Sequence, residues 1–258
     1  MDYCTVEEAR PLSGLRLALT VGGPGPWSEA AKAVFTANEV PFVAVRQDAG
    51  EPNEALVAWT GHRNAPVAIY DEEAPRAGWC DLLLLSERVA AQPHLLPTNA
   101  EERALAIGLC HEICGEAGLG WSRRLMMLDQ TLAERARQGK SPGRMGFMAN
   151  LYGHTSESAR TARGRVVQLL EMLTERLRRQ ASRGSEFFVG DALTAVDLYW
   201  ACFAAMFAPL PHDQCPMPEG LRALYTVEEP AVRAALTPEL LAHRDRVYAH
   251  TLPLPVDF

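Results

Sequence analysis

The sequence lacks the patterns that mark several large classes of protein. No apolar run in its 258 residues approaches the roughly 20 residues that a membrane-spanning helix requires. The formal charge is −7, so we expect neither nucleic acid nor an anionic membrane as the main partner. The N-terminal stretch MDYCTVEEARPLSG has no basic segment followed by an apolar one. We therefore expect no export signal and a cytoplasmic location.

The six cysteines form no CxxC pair and no metal-type spacing with histidine. Cys110 and Cys114 lie one helical turn apart with His111 beside them. A zinc site on such a helix needs a further ligand from elsewhere, and the sequence nominates none. We expect core thiols that stay free in a reducing compartment, and no metal.

Nucleotide-binding and hydrolase motifs are also absent. Gly22, Gly23 and Gly25 stand between a predicted strand and a predicted helix, but GGPGP fits neither GxGxxG nor a P-loop. No GxSxG elbow or Ser-His-Asp order supports a hydrolase. The same helix start can still favour a thiolate, because exposed N–H groups and the helix dipole lower the pKa of a nearby thiol.

The pattern of apolar residues predicts two domains, an α/β domain over 14–92 and an all-helical domain over 98–250. In the first domain the pattern predicts strands at 15–21, 40–45 and 65–70 and helices at 27–39 and 80–90. Residues 1–13 are expected to form a loose arm, and Pro93 and Pro97 bracket a linker. The second domain is predicted to contain one long helix bent near its glycines, a surface loop, a second long helix and two short C-terminal helices, over 101–137, 140–153, 156–183, 228–236 and 238–250.

The most distinctive stretch is FFVGDALTAVDLYWACFAAMF, residues 187–207. Thr194 is placed as a helix N-cap, and Asp197 three residues later can accept from the Thr194 backbone N–H. Leu193 and Leu198 are spaced for a hydrophobic staple. The residues that follow carry almost no charge, which predicts a helix buried on all sides.

This stretch resembles the capping box and staple of the central helix in the C-terminal domain of soluble glutathione S-transferases. The segment from Pro26-Trp27-Ser28 to Val40-Pro41-Phe42 resembles the family segment that begins with a catalytic Ser or Cys. Ala65-Pro66, at the start of a strand, resembles the cis-proline of thioredoxin-like domains. The resemblance covers nearly the whole chain. It implies the glutathione transferase fold, a thioredoxin-like α/β domain followed by an all-α domain, and a homodimer.

The resemblance also implies a glutathione site. A gap-free register puts Gly25 at the catalytic position, where it offers no side chain to the glutathione sulfur. Ser28 is the nearest catalytic candidate, and its alternative role is that of a helix-start residue. Asp81 is placed for the γ-glutamyl ammonium, whereas Leu82 stands where the family has serine and offers only its backbone N–H. The implied glutathione contacts are Gly25, Pro26, Trp27, Arg63, Asn64, Ala65, Pro66, Asp81 and Leu82.

In this family the first long helix of the C-terminal domain lines the pocket for the second substrate. Here that helix carries His111, Trp121 and Arg124. Trp121 with Arg124 suits an aromatic or anionic substrate, and the alternative for Trp121 is core packing.

Two functions remain open on these grounds. In the first, a glutathione S-transferase-like enzyme of detoxification conjugates glutathione to, or removes it from, a hydrophobic electrophile. Its thiolate would be stabilised by the helix N-terminus. In the second, a non-catalytic homologue binds glutathione or apolar ligands, or acts as an interaction module. Gly25 and Leu82 keep the second open, and a hydrophobic pocket has no sequence motif that names its electrophile.

Overall fold

In the computed structural model, which describes residues 1–92 and 94–258, the N-terminal part is built on a mixed sheet of three strands. The central strand β1 (Leu15–Thr20) is parallel to β2 (Phe42–Gln47) and antiparallel to β3 (Val67–Tyr70). The helices of this part are α1 (Val6–Ala9), α2 (Pro26–Ala37), α3 (Glu54–Thr60) and α4 (Trp79–Val89). The parallel pair requires a crossover, and α2 provides it. Beyond β3 the chain pairs with the sheet through a single bridge, Ala68 with Arg76.

The C-terminal part contains helices and loops, and no strand among its described residues. Its elements are α5 (Ala100–Cys114), α6 (Leu119–Arg137), α7 (Gly143–Leu151), α8 (Ser156–Ala181), α9 (Ala195–Ala204), α10 (Glu219–Tyr225), α11 (Pro230–Ala235) and α12 (Pro238–His250). Helix α9 packs against α5 and α12 of the C-terminal part and against α2 of the N-terminal part. All its residues are buried, as the sequence predicts. No described helix has the length and apolar character needed to cross a membrane.

Four local expectations were wrong or incomplete. The long helix over 101–137 is two helices, because the chain leaves helical geometry at Gly115 and resumes it at Leu119. The loop over 140–153 contains α7, which packs on α6. The arm at 1–13 is anchored, since Cys4 pairs with Val45 of β2 and Thr5 caps α1. Helix α10 was not predicted, and Pro93 of the predicted linker lies outside the described residues.

A buried carboxylate, that of Asp197, fixes the start of α9. Its Oδ2 accepts hydrogen bonds from the backbone N–H and the hydroxyl of Thr194, both at 2.8 Å, which confirms the predicted reach-back. Its Oδ1 accepts from the Phe188 backbone N–H at 2.9 Å and lies 2.9 Å from Nε2 of His243 on α12. The Ala195 N–H donates to the Leu95 carbonyl at 2.9 Å, which attaches the interdomain segment to the same point. One side chain therefore connects α9 to the loop before it and to α12.

We predict that Asp197→Ala destabilises the protein by about 3–5 kcal/mol, because it leaves buried N–H groups without an acceptor. Thr194→Ala should cost about 1–2 kcal/mol, the usual effect of losing an N-cap. Urea denaturation followed by circular dichroism measures both. Asp191→Ala, which removes an exposed acid from the same stretch, is the matched control and should unfold like the wild type. A wild-type midpoint for Asp197→Ala would show that this carboxylate does not hold α9.

Candidate functional site

A pocket of about 370 Å³ lies between the N-terminal part and helices α6, α7 and α10. Its volume is in the range of small-molecule sites. The N-terminal wall includes Thr20 at the end of β1, Gly25, and the successive residues Arg63, Asn64 and Ala65. The helical wall includes Arg124, Met127, Met148, Tyr152 and Tyr225. The pocket thus lies outside the carboxyl ends of the two parallel strands, where ligands bind in open α/β sheets.

The helix α2 begins at the edge of this pocket. Gly25 is its N-cap residue, with φ −65° and ψ 116°, and Pro26 is the first helical residue. Because Pro26 has no N–H, the first unpaired donors of the helix are the N–H groups of Trp27 and Ser28. The Ser28 hydroxyl is buried and accepts a hydrogen bond from the Thr20 N–H at 3.1 Å. Ser28 does not line the pocket, and this contact matches the helix-start role.

Trp27 points from the start of α2 into the boundary between the two parts of the chain. Its indole N–H donates to the Cys114 carbonyl at the end of α5, at 2.9 Å. Its ring meets the ring of Phe203 on α9 edge to face, with centroids 4.9 Å apart. The Arg124 guanidinium lies 4.2 Å from the centroid of the same indole. Trp27 therefore supports a pocket residue without lining the pocket itself.

Of the three residues expected to form the second-substrate pocket, only Arg124 lines it. Its guanidinium lies between the rings of Trp27 and Tyr152, at 4.2 Å and 4.6 Å from their centroids. Trp121 packs edge to face against Tyr152, with centroids 5.2 Å apart, and so stands behind the wall. His111 is exposed on α5, 6.0 Å from Trp79 of α4. His111 does not line the pocket, whose helical wall is formed by α6, α7 and α10.

Tyr225 was not singled out from the sequence. It ends α10, a short helix that follows a proline-rich loop. Its hydroxyl donates to the Pro24 carbonyl at 3.4 Å, which places it beside Gly25. Burial is the main cause that raises the pKa of Tyr225 to about 12, and the nearby Arg124 lowers it slightly. The hydroxyl therefore stays protonated, and able to donate, at neutral pH.

The strand ends on the N-terminal wall are held together by Gln47. Its side-chain oxygen accepts from the Thr20 hydroxyl at 2.8 Å, and its amide donates to the Arg63 carbonyl at 3.4 Å. The Arg63 guanidinium lies 5.2 Å from the ring centroid of Phe147 on α7. The Ala65–Pro66 bond is cis, as the resemblance implies. Arg63, Asn64 and Ala65 thus face the pocket together.

Comparison with known proteins gives a family match over part of the chain and a fold match over nearly all of it. Residues 129–246 match the glutathione S-transferase C-terminal domain family. The chain has the glutathione S-transferase fold. The resemblance stated from the sequence is thereby confirmed, as is the α/β-then-all-α fold class.

Solved structures of glutathione transferases superpose on nearly the whole chain. A glutathione S-transferase domain-containing protein from Marinobacter aquaeolei has 17% identity and a TM-score of 0.63, over 92% of this chain and 100% of that one. The Methylobacterium radiotolerans glutathione S-transferase in complex with glutathione sulfonate has 16% identity and a TM-score of 0.61, over 93% and 95%. The Methylobacillus flagellatus enzyme with glutathione bound has 13% identity and a TM-score of 0.61, over 93% and 96%. A search of curated protein sequences found no match.

Helix α4 carries Asp81 and Leu82, the two residues that the sequence resemblance places at the γ-glutamyl end of glutathione. Asp81 is exposed in the first turn, with its carboxylate close to Gly78, the N-cap residue. Leu82 is 1% exposed, and its N–H donates to the Gly78 carbonyl at 2.9 Å. This corrects the expected role of the Leu82 N–H, which is used within the helix. The donors that remain at the start of α4 are the N–H groups of the residues between Gly78 and Leu82. Neither Asp81 nor Leu82 lines the pocket.

The described cysteines form neither a disulfide nor a metal site. All six are unpaired, and within residues 1–92 and 94–258 no group of three potential ligands is placed to hold a metal ion. Cys110 and Cys114 are buried, and burial raises the pKa of each thiol well above its ordinary value.

We predict that Gly25→Ser folds with a stability within about 0.5 kcal/mol of the wild type. Position 25 has an ordinary negative φ, and an added Cβ would lie 3.8 Å from the Thr20 Cβ, a normal contact. The matched variant is Gly22→Ser, where an added Cβ would meet no atom within 4 Å but the backbone φ is +81°. It should lose about 1–2 kcal/mol, because L-residues are strained there. Equal losses in both variants, measured by urea denaturation, would mean that Gly25 does not hold this conformation.

Proposed function

We propose that the protein is a glutathione-dependent transferase that conjugates glutathione to, or removes it from, a hydrophobic electrophilic small molecule. One observation carries the proposal. A single pocket joins the start of α2 and the residues before Pro66 to an apolar wall on α6 and α7. Structural neighbours of the same fold hold glutathione or glutathione sulfonate.

In the proposed complex, glutathione lies along the N-terminal wall. Arg63 and Asn64 bind its glycyl carboxylate, and the backbone of Ala65 beside Pro66 binds its cysteinyl part. Asp81 binds the γ-glutamyl ammonium, while the first N–H groups of α4 face the γ-glutamyl carboxylate. The thiol then lies beside Gly25, Pro26 and Trp27. Arg63, Asn64, Ala65 and Gly25 already line the pocket, which supports this placement.

The opposite wall suits a hydrophobic second substrate. Methionines from α6 and α7 dominate it, namely Met127, Met145 and Met148, with Leu128 and Leu151 beside them. Methionine side chains are flexible and polarizable, so such a wall adapts to ligands of different shape. This composition favours an electrophile defined by apolar bulk.

The thiol is proposed to react as a thiolate stabilised by the start of α2. The thiolate attacks the electrophilic carbon, a C–S bond forms, and the leaving group departs with its electron pair while the thiol proton passes to solvent. The N–H groups of Trp27 and Ser28 with the helix dipole supply about 1–2 kcal/mol, or roughly one pKa unit. This is a modest activation, because no side chain at Gly25 contributes.

We predict that the wild type conjugates 1-chloro-2,4-dinitrobenzene slowly, with a rate that keeps rising between about pH 7 and 8.5. The rate follows the thiolate fraction, and the thiol here stays mostly protonated at neutral pH. Stopped-assay absorbance of the conjugate, corrected for the uncatalysed reaction, measures it. A profile already flat at pH 6.5 would reveal a strong activating group, with Ser28 the first to test by alanine.

Gly25→Ser should raise kcat/KM at pH 6.5 by about tenfold, because the new hydroxyl can donate to the sulfur. Gly25→Ala is the matched control, since it adds the same Cβ without a donor. Both variants are compared with the wild type in the same assay. If alanine accelerates the reaction as much as serine does, the gain does not come from a hydrogen bond to the thiolate.

The second candidate function is a non-catalytic member of the fold that binds glutathione or apolar ligands, or serves as an interaction module. Gly25 and the buried Leu82 favour it, because both lack the hydroxyl expected at their positions. Calorimetric titration with glutathione separates a binder from a protein that does not bind. An electrophile panel then separates an enzyme from a binder.

The assembly is proposed to be a homodimer. Leu84 on α4 and Leu105 on the adjacent α5 are exposed apolar side chains, at 41% and 37% of their surface. Sedimentation of the wild type and of Leu84→Arg tests this. The unpaired cysteines support a cytoplasmic location within the same proposal.

A further inference from the structure

The pocket is positively charged in a protein that is negatively charged overall. The chain has a formal charge of −7. Among the described residues that line the pocket, the ionised side chains at neutral pH are Arg63 and Arg124, and none is an aspartate or glutamate. A cleft with one sign of charge and apolar walls concentrates ligands of the opposite sign. The pocket therefore favours anionic ligands, with one cation from each part of the chain.

Arg124 is held rigidly without a charge partner. Its guanidinium is stacked between Trp27 and Tyr152, at 4.2 Å and 4.6 Å from the ring centroids. In the part of the chain that the structure describes, no carboxylate pairs with it and no acceptor takes a hydrogen bond from it. When both faces of a guanidinium are covered by rings, its N–H edge remains available for a planar anion.

Arg123, the residue before Arg124 in α6, is an arginine whose donors are used by the fold. Arg123 is 2% exposed and donates to the carbonyls of Met206 and Leu224, at 2.8 Å and 3.0 Å. Its donors are used to join α6 to the segments around α10. Among the described residues Arg124 has no such acceptor, and its side chain lines the pocket. The two rings stack on its guanidinium but supply no anion to it.

A hydroxyl lies near this cation. Tyr225 lines the pocket, and its hydroxyl donates to the Pro24 carbonyl at the long distance of 3.4 Å. Tyr225 and Arg124 line the same pocket, so both can donate to one anion bound there. The apolar methionines beside these two groups would cover the rest of such a ligand.

We propose that Arg124, assisted by Tyr225, is the anion-binding residue of the helical wall, so that the second substrate is an electrophile carrying a carboxylate or a comparable anion. This rests on the proposed function, because it names the substrate class of the same pocket. The shared chemistry is an anion at Arg124. It has two possible sources, the second substrate or the glutathione thiolate, and the test distinguishes them.

The test compares two electrophiles that share one reaction. They are neutral 1-chloro-2,4-dinitrobenzene and anionic 4-chloro-3,5-dinitrobenzoate. In both, the thiolate forms a C–S bond, the C–Cl bond breaks, chloride leaves with the electron pair and the thiol proton goes to solvent. Each enzymatic kcat/KM is divided by the uncatalysed rate constant, so that only binding by the protein is compared. We expect the wild type to prefer the anionic compound, and Arg124→Gln to reduce that preference about tenfold or more.

Control variants separate this effect from general damage. Arg137→Gln removes an exposed charge from the same helix and should keep the wild-type preference. Arg124→Lys keeps the charge without the planar edge and should retain part of the preference. Arg63→Gln should weaken glutathione affinity while leaving the ratio between the two electrophiles unchanged. Far-ultraviolet circular dichroism confirms that each variant is folded.

If Arg124 binds the thiolate instead, Arg124→Gln lowers both rates equally and moves the pH–rate profile to higher pH. That result would reject the anionic second substrate and assign the anion site to the sulfur. Equal rates and the same profile in Arg124→Gln and the wild type would overturn the proposal. Quenching of tryptophan fluorescence by 3,5-dinitrobenzoate, which has no leaving group, tests the site without catalysis. Quenching that Arg124→Gln abolishes, in a protein that conjugates neither electrophile, would reject the transferase function and keep the anion site.

Discussion

Trp27 joins the two domains at the place where the pocket forms. Its indole N–H donates to the end of α5, its edge packs on Phe203 of α9, and its face supports Arg124. The buried Asp197 fixes the start of α9 through hydrogen bonds to backbone N–H groups. Because Phe203 lies on α9, its position depends on that carboxylate. The packing of Trp27 against Phe203 therefore depends on it too. The arrangement links a structural network in the helical domain to a cation that faces the ligand.

The features that the sequence predicts well are those determined by nearby residues. Thr194 and Asp197 are three positions apart, and their hydrogen bond is a local consequence of that spacing. The uniform burial of α9 follows from a run almost free of charge. The fold class follows from the order of strands and helices, and the cis bond before Pro66 from the family resemblance.

The features that the sequence missed depend on packing between distant segments. Helix α7 forms in a glycine-rich stretch because it packs against α6. Its methionines and the following residue Tyr152 line the pocket. Helix α5 ends at Gly115, so His111 lies on a different helix from the pocket residue Arg124, which periodicity alone does not show. Tyr225 comes beside Gly25 only when α10 folds over the glycine loop, across 201 positions of sequence from Pro24. No local pattern marks it.

We propose that glutathione occupies this pocket with its sulfur between the start of α2 and the helical wall. A crystal structure of the glutathione complex tests this placement most directly. We expect the cysteinyl backbone to pair with Ala65, the glycyl carboxylate to lie near Arg63, and the sulfur to lie beside Gly25 within reach of the Trp27 N–H. Glutathione bound elsewhere, or a sulfur directed away from Gly25 and Arg124, would contradict it.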